Sequence, residues 1–320
     1  MPIATYNELY NEAIRLYGEQ KYDEVYDLLT REGERFPEEA FTVLYLRSCM
    51  AARVGRNDYA IELLHEAHDK GLWYGEELMR QSPSWQPLQG LPEFEEMVAV
   101  FKESEKEAYV GPLMLVAEPE GGCNGERPCP AILTLHGNGQ NARRSLEGWN
   151  AVTAMGWLQA SLQSSQLRSS DAFVWDEQEP ALREVAAHYV DLAGRYNIDV
   201  ERVIIAGFSM GGETALRAAL EGTIPVKGFV LLGPGGPTID EPDEWLPLLE
   251  EARAAGRSLR GYVFLGEHDE AVIHDALRKL VALLNEQGVP CQLEDIPRIA
   301  HEYPQDFAPH IARALAFIEQ

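Results

Sequence analysis

Apolar residues in the first third of the chain recur at the spacing of one helix face. Leu9, Ala13, Ile14, Leu16 and Tyr17 follow it, Gly18-Glu19-Gln20-Lys21-Tyr22 breaks it, and Val25, Leu28 and Leu29 resume it before Pro37 ends the unit. A second unit repeats the scheme with Phe41, Leu44, Tyr45, Cys49 and Met50, a break at Gly55-Arg56-Asn57-Asp58-Tyr59, then Ile61, Leu63, Leu64 and Ala67. Glycine recurs from 18 to 55 and tyrosine from 22 to 59, a shared offset of 37 residues that marks a weak internal repeat. Ser82-Pro83-Ser84-Trp85-Gln86-Pro87-Leu88, followed by Pro92, Phe94 and Met97, predicts a capping turn and a closing helix. From residue 109 the texture changes to short apolar runs alternating with amphipathic stretches. Strands are predicted at 109–117, 131–135, 156–160, 203–206, 226–232, 261–265 and 290–296. Helices are predicted at 142–152, 180–196, 214–220, 245–255, 271–287 and 307–318. This alternation predicts an α/β domain, a mostly parallel sheet flanked by helices, with ligands bound at the carboxyl ends of the strands. The chain therefore divides into a helical domain over 1–107 and an α/β domain over 108–320.

The helical domain resembles the tetratricopeptide repeat, a helix–turn–helix unit with a small residue at the turn and an aromatic after it. Two such units leave an open face, so the domain is expected to pack on its neighbour. Peptide binding, a lid over the site and a structural or dimerising appendage are the roles open to it.

Composition narrows the partners. The net charge is −25, and both parts are acidic, with 22 Asp/Glu against 11 Lys/Arg in residues 1–108 and 30 against 16 in 109–320. Nucleic acid and anionic membrane surfaces demand basic patches, so neither is an expected partner. No apolar run approaches the roughly 18 residues that span a bilayer. The first eight residues lack a basic and an apolar segment, which predicts no signal peptide and a cytoplasmic location. Cys49, Cys123, Cys129 and Cys291 show no metal-ligand spacing. Cys123 and Cys129 flank a Gly/Pro-rich loop and would bridge in an oxidising compartment, whereas a cytoplasmic location would keep them reduced.

The chemistry gathers after the predicted strands. The run 203–206 leads into Gly207-Phe208-Ser209-Met210-Gly211 and then into the helix beginning near Thr214. Strand, sharp turn and helix are the context in which G-x-S-x-G lifts a serine hydroxyl clear of a sheet, beside a helix N-terminus that favours negative charge. Side chains at 207 and 211 would clash in such a turn, which accounts for the two glycines. A serine hydroxyl needs a base, and the base needs an orienting acid. Asp269, in Gly266-Glu267-His268-Asp269-Glu270, follows a predicted strand. The turn after Gly266 should aim it back across the strand ends, which favours it over Glu267, Glu270 and Asp275, the last of which falls in the next helix. His301 follows the last predicted strand. Its rivals fit less well: His65, His68 and His188 read as helix-surface residues, His268 comes too early in chain order, and His274 and His310 lie in or beside helices. Ser209, Asp269, His301 is then the expected order of nucleophile, acid and base. Leu135-His136-Gly137-Asn138-Gly139 supplies the last part. Gly137 and Gly139 free the backbone to turn the Asn138 N–H toward the site, where it and the Met210 N–H would form an oxyanion hole. A phosphate loop is excluded by the spacing, which is neither G-x-x-x-x-G-K-[ST] nor G-x-G-x-x-G. Residues 148–176, rich in Trp and Phe among polar groups, read equally as pocket wall or core, and Gly233-Pro234-Gly235-Gly236-Pro237 as part of the rim.

On residues 136–139, 207–211, Asp269 and His301, the stretch 109–320 resembles the α/β-hydrolase superfamily, nearest the phospholipase/carboxylesterase and dienelactone-hydrolase-like branches. The resemblance implies the α/β-hydrolase fold and a serine hydrolase that cleaves carboxylic esters through an acyl-enzyme, with no metal or organic cofactor. Thioester or peptide cleavage on the same groups, or an interaction module carrying a vestigial hydrolase domain, are the alternatives. Met210 stands where the carboxylesterase branch commonly has Gln, and the proline usual after the acid is missing from Asp269-Glu270-Ala271. The implied partners are a small-molecule ester and, through the helical domain, a protein or a second copy of the chain.

Overall fold

A computed structural model of the chain describes residues 3–108, 111, 113–123 and 127–320. Two compact units emerge: one runs from the N-terminus to about residue 109 and takes in Leu167–Asp171, and the other comprises the remainder.

The first unit is helical, with helices Tyr6–Gly18, Tyr22–Glu32, Ala40–Arg53, Asn57–Asp69, Glu76–Gln81 and Pro92–Glu107. Thr5 opens the first with a capping box, its side chain accepting from the Glu8 N–H while the Glu8 carboxylate accepts from the Thr5 N–H. The two hairpin breaks differ in geometry despite the sequence repeat. Gly55 takes a positive φ of 78°, as a left-handed helix terminus requires, but in the first hairpin that conformation falls on Gln20, φ 59°, instead of Gly18. Ile14, counted on the apolar face by its spacing, is exposed. Trp85 anchors the interior: it is fully buried, donates its indole N–H to Ser48 Oγ at 3.0 Å and packs edge-on against Tyr45. The five residues Leu167–Asp171 complete this unit, a feature the sequence pattern did not signal. Gly75 N–H donates to Ser169 Oγ at 3.0 Å, Ser170 N–H to Trp73 O at 3.1 Å, and Tyr74 pairs with Ser169 in an antiparallel bridge. A Cβ on Gly75 would stand 2.1 Å from Arg168 O, so only glycine permits the approach.

The second unit is built on strands β1 Leu113–Ala117, β2 Cys129–Leu135, β3 Leu158–Gln163, β4 Ile198–Phe208, β5 Gly228–Leu232, β6 Arg260–Gly266 and β7 Cys291–Ile296. They form one sheet in the order β1-β3-β2-β4-β5-β6-β7. β1 runs antiparallel to β3 and every other pair is parallel, the mostly parallel sheet expected. The strand predicted from 109 begins at Leu113; residues 109, 110 and 112 lie outside those described. Alternate residues feed opposite faces: Val203 and Ile205 of β4 join one buried cluster, Ile204, Ala206 and Phe208 the other. Helices cover both faces, as the all-buried strands β2 and β5 require. The helix predicted over 142–152 divides into Ala142–Gly148 and a 3-10 turn, Asn150–Met155. The break follows Gly148, where the Tyr303 ring fills the space a side chain would need. Register aligns the strand ends, pairing Leu135 with Gly207, Phe208 with Leu232 and Gly266 with Ile296. The loops after β2, β4, β5, β6 and β7 therefore open on one edge.

Cys123 and Cys129 are joined by a disulfide, correcting the expectation of a reduced pair. Cys49 and Cys291 are buried free thiols, each pushed up to about 12 by desolvation. Among the described residues no helix is long and apolar enough to cross a membrane.

The packing around Trp85 generates a measurable expectation. Trp85→Ala should destabilise the helical unit by about 3–5 kcal/mol through cavity formation, seen in urea denaturation as an earlier loss of helical signal. A shift of less than about 1 kcal/mol would remove the anchoring role assigned to the indole.

Candidate functional site

Ser209 follows β4 and precedes the helix Met210–Glu221. Its φ of 53° and ψ of −127° lie outside the regions L-residues favour, a strain of order 1–3 kcal/mol. Three hydrogen bonds hold it there: Ser209 N–H donates to Leu232 O at 3.1 Å, and Ser209 O accepts from Gly212 N–H at 2.8 Å and Gly235 N–H at 3.1 Å. The two flanking glycines serve different contacts. A Cβ on Gly207 would meet the Gly211 carbonyl at 2.1 Å, within the turn itself. A Cβ on Gly211 would meet His136 O at 2.3 Å, so that glycine admits the loop after β2.

His301 Nε2 lies 2.9 Å from Ser209 Oγ, and His301 Nδ1 lies 2.9 and 3.0 Å from the two carboxylate oxygens of Asp269. A carboxylate only accepts, so the Nδ1 proton points at Asp269 and Nε2 is left to accept from the serine hydroxyl. Asp269 is 2% exposed and also accepts from Ala271 N–H at 3.1 Å. Two neighbours whose part here the sequence did not indicate shape this contact. Gly233, φ 45°, leaves room for it, since a Cβ there would stand 2.7 Å from Asp269 Oδ2. The Phe208 ring, centred 4.6 Å from the His301 ring, forms the surface on which the imidazole rests. The rival histidine His268 is exposed, and His274 Nε2 reaches only the Asp269 backbone carbonyl, at 2.8 Å. His188, read as a surface residue, is buried instead, because it shares the inward stripe Ala181, Val185 and Leu192 of its helix.

The loop after β2 leans on the elbow. Gly137 passes so close that a Cβ would stand 2.9 Å from the Phe208 ring and 3.2 Å from Ser209 Cβ, while Gly139 supplies the positive φ, 73°. Among the described residues the Asn138 and Met210 N–H groups have no hydrogen-bond partner. The Asn138 side chain fixes the loop: Oδ1 accepts from Trp175 N–H at 3.1 Å and Nδ2 donates to Asp176 Oδ1 at 2.7 Å. His136 underpins it from below. Fully buried, it donates Nδ1–H to Gly137 O at 2.8 Å and accepts Ser164 N–H at Nε2, 3.3 Å, while Trp175 Nε1–H donates to His136 O. Desolvation pushes the His136 pKa down to about 4, so the ring is neutral.

A cleft of about 360 Å³ opens above Ser209, lined by Asn138, Asp176, Met210, Gly235–Pro237 and Ala271. The glycine-rich loop after β5 thus forms one wall, as expected of the rim. Trp149, Trp157 and Trp175, read as wall or core, are core. Of the stretch 148–176 only Asp176 reaches the cleft. Among the described residues no cluster of three or more His, Cys, Asp or Glu side chains could hold a metal ion.

Two family models match the chain. One, described as the A/B hydrolase-like N-terminal domain, matches residues 5–109, and the other, the Alpha/beta hydrolase family, matches residues 132–317. An uncharacterized protein from Bacillus cereus is similar over 99% of each chain, at 27% identity and TM-score 0.54. Esterase PE8 is similar at 16% identity over 66% of this chain and 99% of its own, TM-score 0.52. FphF, a fluorophosphonate-binding serine hydrolase of Staphylococcus aureus, is similar at 17% identity over 65% of this chain and 92% of its own, TM-score 0.50. The last two likenesses are of fold alone.

The neutral His136 carries a pH dependence. Its folded pKa, about 4, lies below the value of about 6.5 in an unfolded chain, so the unfolded state binds more protons between those limits. The stability it contributes is intact above about pH 6.5 and is lost as pH falls toward 4, by roughly 3 kcal/mol at the lower end. His188, also lowered by burial, acts in the same direction. Urea midpoints at about pH 7 and about pH 4.5 should therefore differ more in the wild type than in His136→Asn, which keeps a donor and does not titrate. Equal differences would assign the acid sensitivity elsewhere.

Proposed function

The chain belongs to the Alpha/beta hydrolase family, and we propose that it is a serine esterase that cleaves small carboxylic esters through an acyl-enzyme. The observation that carries this reading is the contact of Ser209 Oγ with His301 Nε2, at 2.9 Å, while Asp269 holds the opposite ring nitrogen. His301 takes the Ser209 proton as the oxygen attacks the ester carbonyl. Asp269 keeps the imidazole in the required tautomer and stabilises its cation. The Asn138 and Met210 N–H groups receive the negative charge on the former carbonyl oxygen, a contribution of about 3–4 kcal/mol per donor in related chemistry. The imidazolium then protonates the leaving alcohol, and water repeats the sequence on the acyl-enzyme. The division of labour we propose assigns this chemistry to residues 108–320 and a partner-binding or structural role to residues 1–107.

Ser209→Ala should lower turnover of p-nitrophenyl esters by about four orders of magnitude or more. Undiminished turnover in a folded variant would sink the assignment, as would failure of a fluorophosphonate to label Ser209 in the wild type.

Among the cleft-lining residues the one ionisable side chain is the Asp176 carboxylate, and no cation stands among them. A substrate with a free carboxylate gains no partner there and meets like charge, worth roughly 1 kcal/mol at about 4 Å even with the screening of bulk water. An ester whose acyl chain ends in a methyl group should therefore show about fivefold higher kcat/KM than its carboxylate-terminated analogue. The gap should narrow as salt is added. Equal rates at low salt would overturn the preference for neutral esters.

A further inference from the structure

One buried carboxylate beside the elbow has no part in the acyl transfer. Glu213 is the fourth residue of the helix that starts at Met210, and it is 2% exposed. Placing a carboxylate in such a position is costly unless its oxygens are matched by donors. The donors are backbone: Glu213 Oε2 accepts from Thr238 N–H at 3.0 Å and from Ile239 N–H at 3.3 Å. Both belong to the segment that continues the cleft wall Gly235–Pro237. Gly236 lies directly over the carboxylate: its φ is 143°, and a Cβ there would stand 2.1 Å from Glu213 Oε2 and 2.8 Å from Met210 Sδ. From the other direction Arg217, one turn along the same helix, reaches Thr238 Oγ1 at 3.4 Å. Trp245 Nε1–H donates to Thr238 O at 2.8 Å. The wall is thus tied to the elbow at both ends. At one end Gly235 N–H bonds Ser209 O, and at the other two N–H groups bond a side chain four residues after Ser209.

We propose that Glu213 is a positioning and specificity-determining residue: it holds the wall Gly235–Pro237 at a fixed distance from Ser209 and so sets the size of ester group the cleft admits. The inference rests on the esterase reading of Ser209. Glu213 touches neither the substrate nor the reacting atoms; it acts through the Thr238 and Ile239 amides. Burial raises its pKa, against the opposing pull of the Thr238 and Ile239 donors, as befits a carboxylate shut away from water. Its length matters as much as its charge. Glutamine can place one oxygen where Oε2 stands and keep both bonds. Aspartate, one methylene shorter, keeps the charge but withdraws the oxygen, and alanine removes it.

The test compares Glu213→Gln, Glu213→Asp and Glu213→Ala with the wild type in the full-length chain. Two readouts are taken: hydrogen exchange at the Thr238 and Ile239 amides, and kcat and KM for a series of p-nitrophenyl esters of increasing acyl length. Exchange at both amides should speed up at least tenfold in the Asp and Ala variants and stay within about threefold of wild type in the Gln variant. In the Asp and Ala variants the chain-length profile should shift toward longer acyl groups, with KM for the preferred wild-type ester raised about tenfold and kcat changed less than threefold. Glutamine should restore the wild-type profile. If the amides loosen while the profile stays fixed, Glu213 braces the wall without selecting substrate, and the proposal fails. A uniform loss of kcat on all esters would move the residue's role to the nucleophile and equally overturn it. If Glu213→Ala does not fold, Glu213→Asp decides alone. A wild type that is neither labelled by a fluorophosphonate nor active on any ester would remove the esterase reading and this proposal with it, whereas the exchange rates would still decide whether Glu213 holds the wall.

Discussion

Between Gly207 and the Gly211 carbonyl there is no room for one methyl group, and that exclusion organises the second unit. The turn it permits puts Ser209 at a backbone conformation that must be held from outside. The holding groups come from the ends of neighbouring strands, Leu232 from β5 and the Gly235 amide just beyond it. Gly211 in turn lets the carbonyls of Leu135 and His136 approach, which sets the loop after β2 against Phe208 and Ser209. Small residues at the strand ends are therefore contact points between loops. Gly137, Gly211 and Gly233 each mark a place where backbone or a functional side chain passes within contact distance of another loop.

Polar groups close to the elbow are buried in pairs or networks, as low-dielectric surroundings demand. His136 is neutral and bonded on both ring nitrogens, and Asp269 is matched by His301 and the Ala271 amide. Thr134, Ser145 and Ser161 share hydrogen bonds beneath the loop that carries Asn138. Each network braces a loop that would otherwise depend on its own backbone alone. The elbow's strain is sustained by this bracing and by the apolar faces of the sheet beneath it.

The alternation of strands and helices, the mostly parallel sheet and the stretches after strands were legible in the sequence because period and punctuation encode them. The apolar run 203–206 and the small residues after it announced the elbow, and position after a strand singled out Asp269 and His301, which the structure brings into one hydrogen-bonded chain with Ser209. Features that depend on which face meets what were not legible. Trp149 and Trp175 could have lined a pocket, and only three-dimensional packing sends them into the core. His188 sits in a helix of mixed character, where an inward histidine and an outward one give the same local pattern. Glu213 and Gly233 carry no motif, since their meaning lies in Thr238, Ile239 and Asp269, 25 to 36 residues away in the chain. The repeat from Gly18 to Gly55 was real in sequence yet unequal in conformation, because Gln20 takes the left-handed position in the first hairpin.

The membership of Leu167–Asp171 in the helical unit has a consequence for how the protein is made. That unit is assembled from two pieces of chain separated by β1, β2 and β3, so it cannot be finished when its own helices have left the ribosome. Until residue 171 emerges, the Gly75 amide and the Tyr74 backbone wait for partners that have not been synthesised. Domains made in sequence usually complete N-terminal first. Here the N-terminal unit is completed only after the other has begun. Cutting the chain near residue 107 would leave both products with an unmatched edge, so neither half is a natural fragment of the whole.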